Sequence, residues 1–227
     1  MQGVPVCLSL LLLLLTSSAG AGEMPPPAYS AQPIQGRVVD ASTGQPLEGV
    51  IIVAQWVLYW TSVGGQNPHK RLQVLETVTA SDGSYAFPGW GPKPNPLTID
   101  PAKLYFCCFL TDRDPKLSYF KAGYRPLTLL NTKPIDIKPS VRTSDWDGKT
   151  IELEPFRGSP NEWATELHFL QGALGWSDMD WRTCPRIVLA IENERLRLPY
   201  RTEWSVSDLE SLGTSRDEVL RALRRQP

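Results

Sequence analysis

The sequence predicts a mainly β fold, a sandwich of about seven strands, followed by a small α-helical C-terminal unit. Three observations predict it. Apolar runs of strand length recur between residues 34 and 153, separated by Gly, Asn, Asp and Pro. Asp82-Gly83 supplies tight-turn chemistry between alternating segments. After Pro155 the apolar spacing changes from two residues to three or four.

In chain order, residues 1–21 read as a signal peptide. The stretch 4–15 is almost wholly apolar, and Ala19-Gly20-Ala21 fits a small-residue cleavage site, although no Lys or Arg precedes the run. A core of about a dozen residues is shorter than the roughly 20 a spanning helix needs, so no stable membrane insertion is expected after cleavage. The mature chain is expected to be secreted or periplasmic. Residues 22–33, with Pro25, Pro26, Pro27 and Pro33, read as an extended linker.

The sandwich is expected over residues 34–155. Residues 34–39 form a first strand, ended by turn residues at 40–46. Residues 49–56 are apolar on both faces, the mark of a central strand. Gly64, Gly65 and Pro68 make 61–71 an exposed excursion. Residues 73–88 read as a hairpin about Asp82-Gly83, with Tyr85 and Phe87 on one face. Three prolines confine 90–96 to a loop or an edge. Segments 103–110, 117–121, 126–130 and 149–153 complete the strands.

Residues 156–227 are expected to form the helical unit. Ser159-Pro160 is an N-cap and first-turn pair ahead of Trp163, Leu167, Leu170 and Leu174, which places an amphipathic helix over 160–174. Thr183-Cys184-Pro185 opens a second, and start signals recur at Ser205 and Ser215.

The chain carries 23 basic and 24 acidic residues, so no field of one sign recruits nucleic acid or anionic lipid. Beyond the leader stand Cys107, Cys108 and Cys184. Neighbours on a strand point to opposite faces, so a disulfide of Cys184 with Cys107 or Cys108 is one reading. Three separate, mostly buried thiols are the other.

Catalytic constellations are thin. A zinc carboxypeptidase needs His-x-x-Glu and a distant His, but His69 is followed by Leu72 and the second histidine is His168. A two-Tyr, two-His iron site would need His168, which falls on the amphipathic helix as a surface residue. No Gly-x-Ser-x-Gly elbow occurs. Asp178, Asp180, Glu192 and Glu194 read as a solvated face. No enzyme activity, metal or cofactor is expected. Among eight tryptophans, Trp60, Trp90 and Trp146 fall near loops and are candidate ligand contacts for a sugar or peptide. The competing and preferred reading has the tryptophans filling the seam between sandwich and helices.

Gly36, Val38, Asp40, Thr43-Gly44, Pro46-Leu47, Gly49-Val50 and Val53, then Thr79, Ser81-Asp82-Gly83, Tyr85 and Phe87, form a pattern that resembles the carboxypeptidase regulatory-like domain, a transthyretin-like (prealbumin-like) β-sandwich family. The segment from Phe120 to Tyr124 looks like that family's later Gly-Tyr strand. The resemblance covers roughly residues 33–154 and implies an accessory module that aids folding, stability or attachment, with no catalytic residues to carry over. The expectation is a secreted or periplasmic, non-catalytic, envelope-associated binding or structural module, its partner an envelope protein or a glycan. The alternatives are a carbohydrate-binding module using the loop tryptophans, or an accessory protein to a hydrolase or oxygenase with its site at 176–184.

Overall fold

The computed structural model describes residues 25–62, 65–96, 98–100, 105–111, 113–132, 136–137, 139–199 and 205–225. The expected leader and Trp204 lie outside them. In order come β1 (Ala28–Ala31), β2 (Ile34–Asp40), β3 (Ile51–Ser62), β4 (Gly65–Val78), β5 (Ser84–Phe87), β6 (Trp90–Pro94), β7 (Thr98–Asp100), β8 (Tyr105–Phe109), β9 (Lys116–Phe120), β10 (Leu127–Leu129), β11 (Val141–Arg142) and β12 (Lys149–Leu153). Helices α1 (Pro160–Leu174), α2 (Pro185–Arg195) and α3 (Arg216–Leu223) follow. The protein is therefore mainly β, with its helices near the C-terminus.

Strand β3 organises the molecule. It lies inside the largest sheet, of order β10-β9-β3-β8-β7, and pairs along its other edge with β4. Two smaller sheets, β12-β2-β5 and β11-β1-β6, complete the β structure. Because side chains alternate, Ile52, Ala54, Trp56 and Leu58 enter one core with Ile34, Val38, Tyr85, Phe87 and Ile151. Val53 turns the other way and packs with Phe120 and the helices. The apolar run at 49–56 is thus a strand buried on both faces. Each fully buried large side chain there contributes about 1.5–3 kcal/mol relative to exposure.

Four local expectations are corrected. The linker contains a strand: residues 28–31 carry no proline, alternate Tyr29 and Ala31 inward, and pair with β6 and β11. The excursion at 61–71 is the far end of a long β3–β4 hairpin, whose register shifts between Trp56 and Val57 and again between Leu58 and Tyr59, the second beside Pro68. The turn at Asp82-Gly83 forms, with Gly83 N–H on Ala80 O at 2.9 Å. Its flanking strands nevertheless enter different sheets, because β5 pairs with β2 (Ile34 opposite Phe87) and not with β4. A Cβ on Gly83 would lie 2.4 Å from Val38 O, so the turn is seated against β2. Finally, no helix starts at Ser205 among the described residues, which hold twelve strands in all.

The helical expectations hold at 160–174 and at 216–223. Ser159 caps α1 with a reciprocal Glu162 bond, Pro160 fills the first turn, and Ser215 with Glu218 repeats the arrangement on α3. Trp163, Leu167, Leu170 and Leu174 meet Ile187, Val188 and Ile191 of α2 and Val219 of α3 over the outer face of the largest sheet. Phe120 and Trp163 stack with centroids 6.3 Å apart. Trp163, Trp176 and Trp181 lie in this seam, whereas Trp56, Trp60, Trp90 and Trp146 pack with the sandwich core instead. Among the described residues, no helix is long and apolar enough to cross a membrane.

Candidate functional site at the seam of sheet and helices

A helix ends with backbone carbonyls that have no intrahelical partner and with partial negative charge. The last turn of α1 contains no basic residue of its own, and the sheet supplies the donors. Arg71 of β4 gives Nη2 to Leu174 O (2.9 Å) and Gly175 O (3.0 Å), and Nη1 to Asp178 Oδ2 (3.0 Å). Gln55 of β3 donates from Nε2 to Leu174 O at 3.0 Å. Lys116 of β9 donates from Nζ to Ala173 O. Burial holds the Lys116 ammonium below its ordinary pKa. Gly175 is left-handed (φ +63), and a Cβ there would sit 1.8 Å from Arg71 Nη2. Only glycine satisfies both the backbone and the guanidinium.

The other helix end shows the opposite charge. Cys184, the N-cap of α2, makes no side-chain cap bond. Glu76 of β4 replaces it, accepting from Arg186 N–H (3.0 Å) and Ile187 N–H (2.8 Å). Burial pushes the Glu76 carboxyl up to about 7, against the lowering effect of those two N–H groups and of the Arg186 charge. Arg186 Nε stands 4.0 Å from the same carboxylate. Between the β4 edge and the start of α2 runs a groove of about 460 Å³, lined by β4 residues 74–78, Thr183 and Arg186.

A second buried carboxyl, Asp114, sits where the far edge of β3 passes from β9 to β8. It accepts from Val57 N–H and Thr111 N–H, both at 3.1 Å, and burial raises it to about 7. Both carboxyls thus close gaps in the backbone bonding of neighbouring elements.

The expected disulfide is corrected. Cys184 is a free, buried thiol in the helix-side core, 3.3 Å from Met179 Sδ. Cys108 is disulfide-bonded but lies in the sandwich core on the opposite face of the sheet, so the sheet itself keeps the two apart. The Cys107 side chain lies outside the described residues. Burial pushes the Cys184 thiol up to about 12, a structural and unreactive setting.

Trp60, Trp90 and Trp146 are each half-buried against the sandwich core. Trp90 meets Trp56 edge-on at 5.2 Å, and Trp146 Nε1 donates to Leu130 O at 3.0 Å. His69 is exposed on β4 and His168 lies on α1 with Nδ1 3.2 Å from Ser205 O. The acidic group 178–194 is not one solvated face: Glu192 pairs with Arg195 (2.7 Å), and Glu194 accepts from Trp163 Nε1 (3.1 Å). Both glutamates are buried. Among the described residues, no three His, Cys, Asp or Glu side chains are grouped to hold a metal.

Sequence reasoning missed Glu76, Arg71, Lys116 and Asp114, whose roles arise from long-range contacts. The one available signal was α2 opening on Cys184-Pro185 without a local acceptor.

No family model and no curated protein sequence matches the chain. Similar solved structures include a 3-chlorocatechol 1,2-dioxygenase from Rhodococcus opacus 1CP, with 15% identity over 56% of this chain and 61% of that one and a TM-score of 0.31. The group B streptococcus pilus 2b backbone protein shares 15% identity over 55% of this chain and 41% of that one, TM-score 0.27. The full-length major pilin SpaD from Corynebacterium diphtheriae shares 15% over 58% and 32%, TM-score 0.24. The matched region spans less than two thirds of each of these proteins. Likeness of this size carries no functional argument.

Proposed function

We infer that the chain is a secreted or periplasmic, non-catalytic module of the cell envelope whose role is binding and structural support. The observation that carries this reading is where the buried ionisable groups are engaged. Arg71, Lys116, Glu76 and Asp114 bond to the chain's own helix ends and strand junctions. A catalytic site would aim such groups at a place a reacting atom can occupy.

The residues behind the resemblance to the carboxypeptidase regulatory-like domain support the same reading. Asp40 accepts from Ser42 N–H, Thr43 N–H and the Tyr124 hydroxyl, and Thr79 Oγ1 accepts from Val50 N–H and donates to Leu47 O. Each serves a turn or a strand end.

Fractionation of producing cells, with N-terminal sequencing of the recovered chain, tests the reading. The expected result is a chain beginning after residue 21 in the envelope or secreted fraction. A cytoplasmic chain that retains Met1 would overturn it. The glycan alternative is tested by polysaccharide pull-down: binding that disappears in Trp60→Ala or Trp90→Ala would move the site to those rings.

A further inference from the structure

Strand β4 is an edge. Among the described residues it pairs only with β3. Thr79 N–H donates to Val50 O at 3.0 Å, directly after Ile51 opposite Val78. That bond sets the phase of the antiparallel ladder: Leu75 and Thr77 turn their backbone polar groups toward β3, whereas Val74, Glu76 and Val78 turn theirs outward. These outward groups border the groove between β4 and the start of α2. Five strand residues extend about 17 Å, the length of a short β-strand.

The groove has a charged wall. Arg186 keeps 44% of its side chain exposed, and its contact with Glu76 is a long one at 4.0 Å. Glu76 is itself occupied by two backbone N–H groups of α2, so Arg186 is the cation at this edge able to meet an incoming anion. Exposed edges are ready templates for a further strand, and natural proteins commonly block them with proline or charge. No proline or lysine stands at 74–78, and the one charged residue there, Glu76, is turned onto the backbone of α2.

We propose that the free edge of β4 at residues 74–78 receives an extended peptide from a partner protein as an added strand, with an acidic side chain or terminal carboxylate of that peptide on Arg186. Main-chain hydrogen bonds to Val74, Glu76 and Val78 supply register, and the guanidinium selects for the carboxylate. The proposal rests on the binding-module reading and names its partner by chemistry.

The test uses the full chain and two fluorescein-labelled hexapeptides of alternating threonine and valine. One ends in aspartate with a free carboxylate, the other in asparagine with a terminal amide. Saturable anisotropy binding of the acid peptide is expected, with the amide at least tenfold weaker. Arg186→Ala, whose backbone N–H to Glu76 is retained, should lower the acid peptide to the amide's level. Val78→Pro removes an outward donor while leaving the β3 ladder intact, and should abolish binding of both. Circular dichroism confirms that each variant is folded.

Absence of saturable binding by the acid peptide, equal binding of both peptides to wild type, or wild-type binding by Val78→Pro would overturn the proposal. So would self-association in sedimentation that Val78→Pro abolishes, since a second copy would then occupy the edge. Export is judged separately by fractionation. An exported chain that binds neither peptide defeats this inference alone.

Discussion

The two faces of the largest sheet are held by different means, although the same strand, β3, lies beneath both. On the sandwich face the contacts are mainly apolar and aromatic, as between Trp56 and Trp90. Tyrosine hydroxyls there find each other, Tyr85 and Tyr119 at 2.9 Å. The helix face has an apolar centre too, but Arg71, Lys116, Gln55 and Glu76 reach from it to helix ends. The physical cause is the element opposite. Strands settle their backbone bonds sideways, within their own sheet, so a facing sheet asks little of β3 except shape. A helix leaves unpaired groups at its ends, and a sheet that covers those ends must supply partners. Donors therefore meet the C-terminal end of α1, and a carboxylate meets the N-terminal end of α2.

The largest expected effects test whether both faces are true cores. Trp56→Ala and Trp163→Ala should each cost about 3–5 kcal/mol in urea unfolding. A cost under about 1 kcal/mol for Trp163→Ala would mean that the helices merely lie on the sheet.

Next in size are the changes at the α1 terminus. Arg71→Ala removes charge-assisted bonds to the half-buried carbonyls of Leu174 and Gly175 and is expected to cost about 2–3 kcal/mol. Gly175→Ala should cost at least as much, because its Cβ displaces the same guanidinium. The double variant should cost little more than Gly175→Ala alone, a non-additivity that a double-mutant cycle measures. Full additivity would separate the glycine from the arginine.

Smaller again is a pH effect. Glu76 and Asp114 have folded pKa values of about 7, above their ordinary 4.5 and 3.8. The folded state therefore binds protons more tightly than the unfolded one. This contribution is complete below about pH 4 and is lost as pH rises through about 7. Thermal unfolding should show a lower Tm at pH 8 than at pH 5, with a smaller difference in Glu76→Gln. An unchanged difference in that variant would remove Glu76 from the effect. Smallest is Asp178→Asn, expected to cost under about 1 kcal/mol because its side chain is 60% exposed.

What could be read from the sequence follows the same division. Local chemistry was legible: Ser159-Pro160 and the Trp163, Leu167, Leu170, Leu174 spacing gave α1 at its observed limits. The apolar run at 49–56 gave a strand buried on both faces. Partner choice was not legible. Asp82-Gly83 specifies a turn, but which sheet receives β5 depends on where Tyr85 and Phe87 find room, and that is beside β2. Arg71 stood in a segment read as an exposed excursion, since nothing near it in sequence shows that Gly175 will arrive against it. Cys184 could be paired on paper because strand alternation says which face a cysteine takes, not what lies beyond that face. Tyr29 and Ala31 were hidden among prolines, whose signal dominates so short a strand.

The central claim is that the helices are bound to the sheet as one cooperative body through charge-matched ends. Native-state hydrogen exchange tests it most directly, by comparing opening free energies of the α2 amides at Val188 and Ile191 with those of β3 at Ile52 and Ala54. Equal, global values are expected in the wild type, with the α2 amides alone losing protection in Glu76→Ala. Low values for α2 in the wild type, unmoved by that substitution, would contradict the claim.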